Sequence, residues 1–160
     1  MTAIVYSSKY GTTEKICETI RSEMRDSDSV ELIALEGKTE QVDLSQYRCV
    51  ILGTSIYAGK PRKEMVEFCK RHEKELLQAR LALFVCGMDR GNAIKEIEAA
   101  YPSSFLNHSV STTFFEGEYR LDKMSFADKM LLRVFFKVKE SKMREYTTDV
   151  QTFLQTFNTL

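Results

Sequence analysis

Short apolar runs alternate along this chain with stretches in which apolar residues recur every three or four positions. Ala3-Ile4-Val5-Tyr6 reads as a short buried strand, followed by a loop over 7–11. Ile16, Ile20 and Met24 then fall at i, i+4 and i+8, the period of a helix with one buried face. Thr12 or Thr13 can cap its start, and Glu14 suits the positive helix end. Val30, Leu32 and Ala34 alternate as in a second strand, and 43–47 looks like a turn. Cys49-Val50-Ile51-Leu52, ending at Gly53, is continuously apolar, as in a strand buried on both faces. A loop over 54–60 leads to Pro61, read as the first residue of a long helix whose buried face includes Met65, Phe68, Cys69 and Leu76. Leu81-Ala82-Leu83-Phe84-Val85 is a fourth strand, ending at Gly87; 92–101 is a helix stopped by Pro102. A fifth strand is expected over 110–115, ending near Gly117, and an apolar and basic helix over 126–138. Val150, Phe153, Leu154 and Phe157 mark the last helix.

This alternation of strands and helices with short loops implies one α/β domain over 1–160, with a parallel sheet covered on both faces. Six of the seven glycines (Gly11, Gly53, Gly59, Gly87, Gly91 and Gly117) follow a strand, Gly37 being the exception. In open parallel sheets, ligands bind at the carboxyl ends of the strands. Tight turns alone would explain some of these glycines.

Charge narrows the classes of function. Across 160 residues, 23 Lys and Arg balance 23 Asp and Glu, for a net charge of zero. That argues against a nucleic-acid binder, whose affinity rests on a basic surface. No apolar run is long enough to cross a bilayer, and the first residues lack the basic and apolar regions of a signal peptide, so a cytoplasmic location is expected. The four cysteines (Cys17, Cys49, Cys69, Cys86) are widely spaced, which disfavours a disulfide framework or a zinc site and points to small buried hydrophobes.

Several nucleotide signatures fail. The pattern G-x-G-x-x-G is absent. Gly53 to Pro61 resembles a Walker A loop but has one residue too many between the glycines, and Pro61 stands where the magnesium-binding hydroxyl should be. The acidic cluster of a receiver domain is missing, since Ser7-Ser8 and Gly53-Thr54 occupy its places. What remains is the first loop, Ser7-Ser8-Lys9-Tyr10-Gly11-Thr12-Thr13. Hydroxyls, backbone N–H groups and a positive helix end meet there, which suits a monoester phosphate without a metal.

That loop resembles the phosphate loop of the flavodoxin family, [S/T]-x-T-G-x-T, at Ser8, Gly11 and Thr13, with Tyr10 replacing one hydroxyl residue. The resemblance implies a three-layer sandwich around a five-stranded parallel sheet of order 2-1-3-4-5, and flavin mononucleotide (FMN) as cofactor. It implies a cofactor site built from Ser8, Lys9, Tyr10, Gly11, Thr12 and Thr13. A second loop would add Thr54, Ser55, Ile56, Tyr57, Ala58 and Gly59, and a third Cys86, Gly87, Met88 and Asp89. Tyr57 is the expected stacking aromatic, because an aromatic face covers an isoalloxazine ring well; packing on the protein is the competing role. The resemblance puts the Gly59 carbonyl near the flavin N5. Chemistry would be flavin-borne, so no catalytic side chain is assigned. Tyr119, Arg120 and Asp122 are within reach of the ring by position, with a plain polar loop the stronger reading.

Electron-carrier flavodoxins are strongly acidic, and this chain is neutral. Between Asp122 and Arg144, seven basic residues face three acids. Within that stretch Lys129, Arg133 and Lys137 recur every four residues, flanked by Leu132 and Phe136 and set apart from an apolar face of Phe126, Met130 and Val134. Such a helix suits an anionic membrane surface or an anionic substrate, and equally an ordinary covering helix. The loops, together with the segments around Gly117 and Phe126, resemble flavodoxin-type protoporphyrinogen dehydrogenases. That resemblance implies a porphyrinogen substrate, a quinone acceptor and peripheral contact with the inner face of a membrane. The short connection over 89–107 departs from those enzymes, which carry a longer basic insertion there. A flavodoxin carrier served by a reductase, and a flavin-free phosphate or partner module, are the competing readings.

Overall fold

The computed structural model describes residues 1–36, 42–118, 120–137 and 139–158. Five parallel strands form the sheet: β1 (Thr2–Ser7), β2 (Val30–Ala34), β3 (Cys49–Tyr57), β5 (Arg80–Gly87) and β6 (Ser111–Glu116). Their order is β2-β1-β3-β5-β6, as the resemblance implied, and a two-residue sixth strand, β4 (Lys60–Pro61), pairs antiparallel with the end of β3.

Successive strand residues point to opposite faces, so each strand feeds two cores. On one face Val5, Leu52 and Leu83 pack against Met65 and Phe68 of α2 (Lys63–Arg71) and Leu76 of α3 (Glu73–Leu76). Tyr101, after α4 (Ala93–Ala100), and Phe105 of α5 (Ser103–His108) complete that layer. On the other face Ile4, Ile51 and Phe84 meet Ile16 and Ile20 of α1 (Thr12–Glu23). Val150, Phe153 and Phe157 of α7 (Thr147–Asn158) close it. Buried Tyr101 is satisfied because its hydroxyl donates to the carbonyls of Leu52 and Phe84, at 3.0 and 2.8 Å.

Local chemistry departs from the sequence expectations at several points. The loop expected over 54–60 is instead a continuation of β3 and a tight hairpin, so Pro61 sits in β4 and the helix starts at Lys63. Ala58 and Gly59 both have positive φ (49° and 72°), the turn that matches the twist of a two-residue hairpin loop. The long helix breaks at His72 into α2 and α3; α4 ends just before Pro102 as expected, and Pro102 then leads into the short helix α5, which had no counterpart in the sequence reading. Neither Thr12 nor Thr13 caps α1: Gly11 holds that position at φ 87°, and no side chain caps the end.

Between β6 and α7 the chain makes an excursion that carries α6 (Phe126–Phe136). Its orientation reverses the expected faces. Leu132 is buried, whereas Phe126, Met130 and Val134 are 79%, 44% and 65% exposed. The helix is more apolar than one contact face can cover, and an inward ion pair of Asp128 decides which side turns in. The Phe136 side chain, like Gly37, Tyr119 and Val138, lies outside the described residues. Among the described residues no helix is long and apolar enough to cross a membrane.

Candidate functional site

The carboxyl ends of β1, β3 and β5 open into one cleft, roofed by α6. The β1 end supplies Ser8, Lys9, Tyr10, Thr12 and Thr13 to its lining. The Ser8 hydroxyl accepts from the Gly11 N–H at 3.0 Å, folding the loop back on itself. The first amides of α1 therefore have no side-chain cap, and an anion can take that role. Gly11 itself lies beside the cleft, in a shallow depression it shares with Lys123.

Ser55, Ile56, Tyr57, Ala58 and Gly59 bring the hairpin to the opposite wall. Ala58 is held in the left-handed region by the hairpin, a strained conformation of the kind that persists where the surroundings impose it. Tyr57 already has a partner: the Lys9 ammonium sits 3.1 Å from its ring centroid. Lys9 also pairs with Asp128 at 3.2 Å, so one cation joins the phosphate loop, the hairpin and α6. Thr54 does not face the cleft. It is fully buried, and its hydroxyl shares a 3.0 Å hydrogen bond with Ser7, clamping the ends of β1 and β3 together.

Cys86, Met88 and Asp89 contribute from the β5 end, while Gly87 is not part of the lining. A side chain at Gly87 would strike the Glu96 carboxylate and the Phe114 ring, so packing explains this glycine. The Cys86 thiol is pushed up to about 12, first by burial and then by the charge of Glu118. It stays protonated at neutral pH and is no nucleophile. Asp89 caps the turn that follows, accepting from the Gly91 N–H at 2.9 Å.

Sequence reasoning missed part of the lining: Glu96, Gly117, Glu118, Met124, Asp128, Leu131 and Leu132. Glu96 projects from α4, and burial, then the charge of Asp89, raises its carboxyl above the ordinary range. Glu118 has a fully buried side chain that accepts from the Lys15 ammonium and, at 3.1 Å, from the Arg144 N–H. Arg144 also pairs with Glu116 at 2.7 Å. The excursion thus leaves and rejoins the sheet at one pinned base, which holds α6 over the strand ends. The 3.6-residue period of α6 was visible in sequence, but not which side faced inward. Arg120 and Asp122 face each other at 3.8 Å outside the cleft lining.

The cleft is chemically incomplete. Tyr10 Oη, Thr13 Oγ1, Ser55 Oγ, Glu96 Oε2 and Glu118 Oε2 are buried without a nitrogen or oxygen partner, and all belong to residues that line it. Buried polar atoms are normally paired, so a concentration of unpaired ones marks where a polar ligand belongs. FMN fits this donor set. A phosphate suits the uncapped α1 start with Ser8 and Thr13, and Ile56, Met88, Leu131 and Leu132 offer apolar contact to a flat ring.

An uncapped first helix turn at the strand ends of an order 2-1-3-4-5 sheet defines a flavodoxin-like α/β protein. A match to the flavodoxin domain over residues 3–145 shows that the chain belongs to that family. It is 26% identical over 145 residues to a protoporphyrinogen IX dehydrogenase [quinone] of Leishmania major, covering 84% of this chain. The chain spans 62% of that relative's length. Among solved structures, oxidised flavodoxin 1 of Bacillus cereus superposes with a TM-score of 0.60 at 14% identity, covering 99% of this chain and 98% of its own. A Fusobacterium nucleatum flavodoxin bound to flavin mononucleotide gives 0.51 at 15% identity, covering 76% and 71%.

Proposed function

We propose that this protein binds FMN in the cleft and acts as an oxidoreductase that takes hydrogen from a porphyrinogen-class substrate and delivers it to a quinone. The observation that carries the FMN reading is the set of unpartnered hydroxyls of Tyr10, Thr13 and Ser55 around the uncapped start of α1, with Tyr57 on the facing wall. FMN, when bound, accepts and donates the electrons. The chain's own residues hold the phosphate at Ser8 and Thr13, present Tyr57, and exclude water beneath α6.

The name of the Leishmania relative supports the porphyrinogen and quinone parts of this reading. The apolar roof of Met124, Leu131 and Leu132 is chemically suited to a macrocycle. Reconstitution with FMN should give flavin absorption that is lost on denaturation, with release of free FMN. Under anaerobic conditions the loaded protein should oxidise protoporphyrinogen IX faster than free FMN when a quinone is supplied, with quinol as the reduced product. Retained FMN without turnover above the free cofactor would replace the substrate reading with that of an electron carrier. Failure to retain FMN would overturn the whole.

A further inference from the structure

We propose that Lys9 sets the cleft's preference for a phosphorylated flavin: its ammonium covers the Tyr57 ring until a ligand bearing a phosphate draws it away. This inference rests on the FMN reading and adds how the cleft tells FMN from riboflavin, the same ring without the phosphate. The Lys9 ammonium stands 3.1 Å from the Tyr57 ring centroid, 5.1 Å from that of Tyr10 and 3.2 Å from Asp128 Oδ2. Lys9, Tyr10, Tyr57 and Asp128 all line the cleft, so the cation is seated inside it. The Lys9 side chain is 27% exposed and that of Asp128 11%, which makes this a partly desolvated seat rather than a surface contact. A cation over an aromatic face and beside a carboxylate is held by both.

A flat ring stacked on that face of Tyr57 needs the space the ammonium fills. Moving the ammonium breaks its pair with Asp128, and a ligand shifts that balance only by as much as it favours the open arrangement. Lys9 lies in the same loop as Gly11, where α1 starts without a side-chain cap. A phosphate bound at that start brings roughly two negative charges to the loop that carries Lys9. That is a stronger partner than the single charge of Asp128. FMN thus supplies both the ring and the anion that receives the displaced cation. Riboflavin must displace the same cation and brings no anion for it. Among the described residues no other cation lines the cleft, so this discrimination falls to Lys9 alone. Selectivity then comes from a charge that the wrong ligand leaves unpaired.

The test is fluorescence titration of FMN and of riboflavin with native apoprotein, Lys9→Ala and Asp128→Asn. Lys9→Ala should bind riboflavin about tenfold more tightly than native protein, because the ring no longer has a cation to displace. It should gain less for FMN, since the charge that meets the phosphate is gone, and the preference for FMN over riboflavin should fall. Asp128→Asn keeps the cation and the Ser125 hydroxyl that accepts from the N–H of residue 128. It loosens the seat, so FMN should bind about threefold more tightly. In the Asp128→Asn apoprotein, amide exchange over 126–136 should quicken, a readout that needs no flavin. Unchanged exchange would show that the cation has no seat on α6 and overturns the proposal. Weaker FMN binding in Lys9→Ala with unchanged riboflavin affinity would reduce Lys9 to a phosphate contact and overturns it as well. Equal weakening of both flavins, the mark of a structural role, does the same. In each of these cases native protein still retains FMN, whereas native protein that retains neither flavin overturns the FMN reading together with this one.

Discussion

Thr13→Val is expected to move stability and cofactor affinity in opposite directions. Thr13 is fully buried in the first turn of α1, and its hydroxyl meets no nitrogen or oxygen partner, only the weakly hydrogen-bonding Cys86 thiol. Leaving such a group unpaired costs roughly 1–3 kcal/mol, and Val replaces it with a methyl group of similar size. The apoprotein should therefore gain about 1–2 kcal/mol, read as a higher urea midpoint at unchanged slope. With FMN bound, the same hydroxyl would donate to a charged phosphate, a bond contributing about 1.5–3 kcal/mol. Its loss should weaken affinity by roughly 10–150-fold, measured by quenching of FMN fluorescence on titration with apoprotein. At FMN a thousandfold above the native dissociation constant, the native protein gains ~4.1 kcal/mol from binding, and a variant bound a hundredfold more weakly gains ~1.4 kcal/mol. The order of stability should then invert between apo and loaded forms. An apoprotein destabilised by the change would refute the claim that the hydroxyl waits for a ligand. An unchanged FMN affinity would refute its role in the cofactor site.

Gly53→Ala should destabilise by about 3 kcal/mol, because the new Cβ would lie 2.1 Å from the fully buried Phe84 ring, itself packed edge-on against Phe115 and Phe153. Adding Phe84→Leu should recover part of that loss, and simple additivity in urea melts would contradict the steric account. Ala58→Gly should stabilise by about 1 kcal/mol by removing the left-handed strain at φ 49°, and a loss would show that the hairpin does not impose that conformation. Glu96 has its carboxyl raised, so the folded state holds that proton more tightly than the unfolded chain. Its contribution is therefore complete below the unfolded value and is lost as pH rises through the folded one. Glu96→Gln should accordingly raise stability at pH 7 relative to native protein and change it little at pH 4, which parallel urea titrations can check.

The strands were legible because a parallel sheet buries both faces, so β1, β3 and β5 appear as continuous apolar runs. The turn between β1 and α1 was legible because its signals are local: Ser8, Gly11 and Thr13 need only a strand before them and a helix after. The hairpin at Ala58 and Gly59 was not, because alanine carries no signal for a positive φ; pairing of Tyr57 with Lys60 imposes it. Gly53 read as a strand-end turn, yet its reason is a Phe84 ring supplied by the neighbouring strand. Glu96, Glu118, Asp128 and Leu132 reach the cleft from elements far away in sequence, and no spacing rule brings them together. α6 marks the division most clearly. Its periodicity specified a helix with apolar positions on both sides of a basic line, since period depends only on the chain. Which apolar side met solvent was decided by Lys9 drawing Asp128 inward and by the base pinned at Glu118, Lys15 and Arg144. The Lys9–Asp128 and Lys15–Glu118 contacts join residues more than a hundred positions apart, and they exist only once the chain has folded.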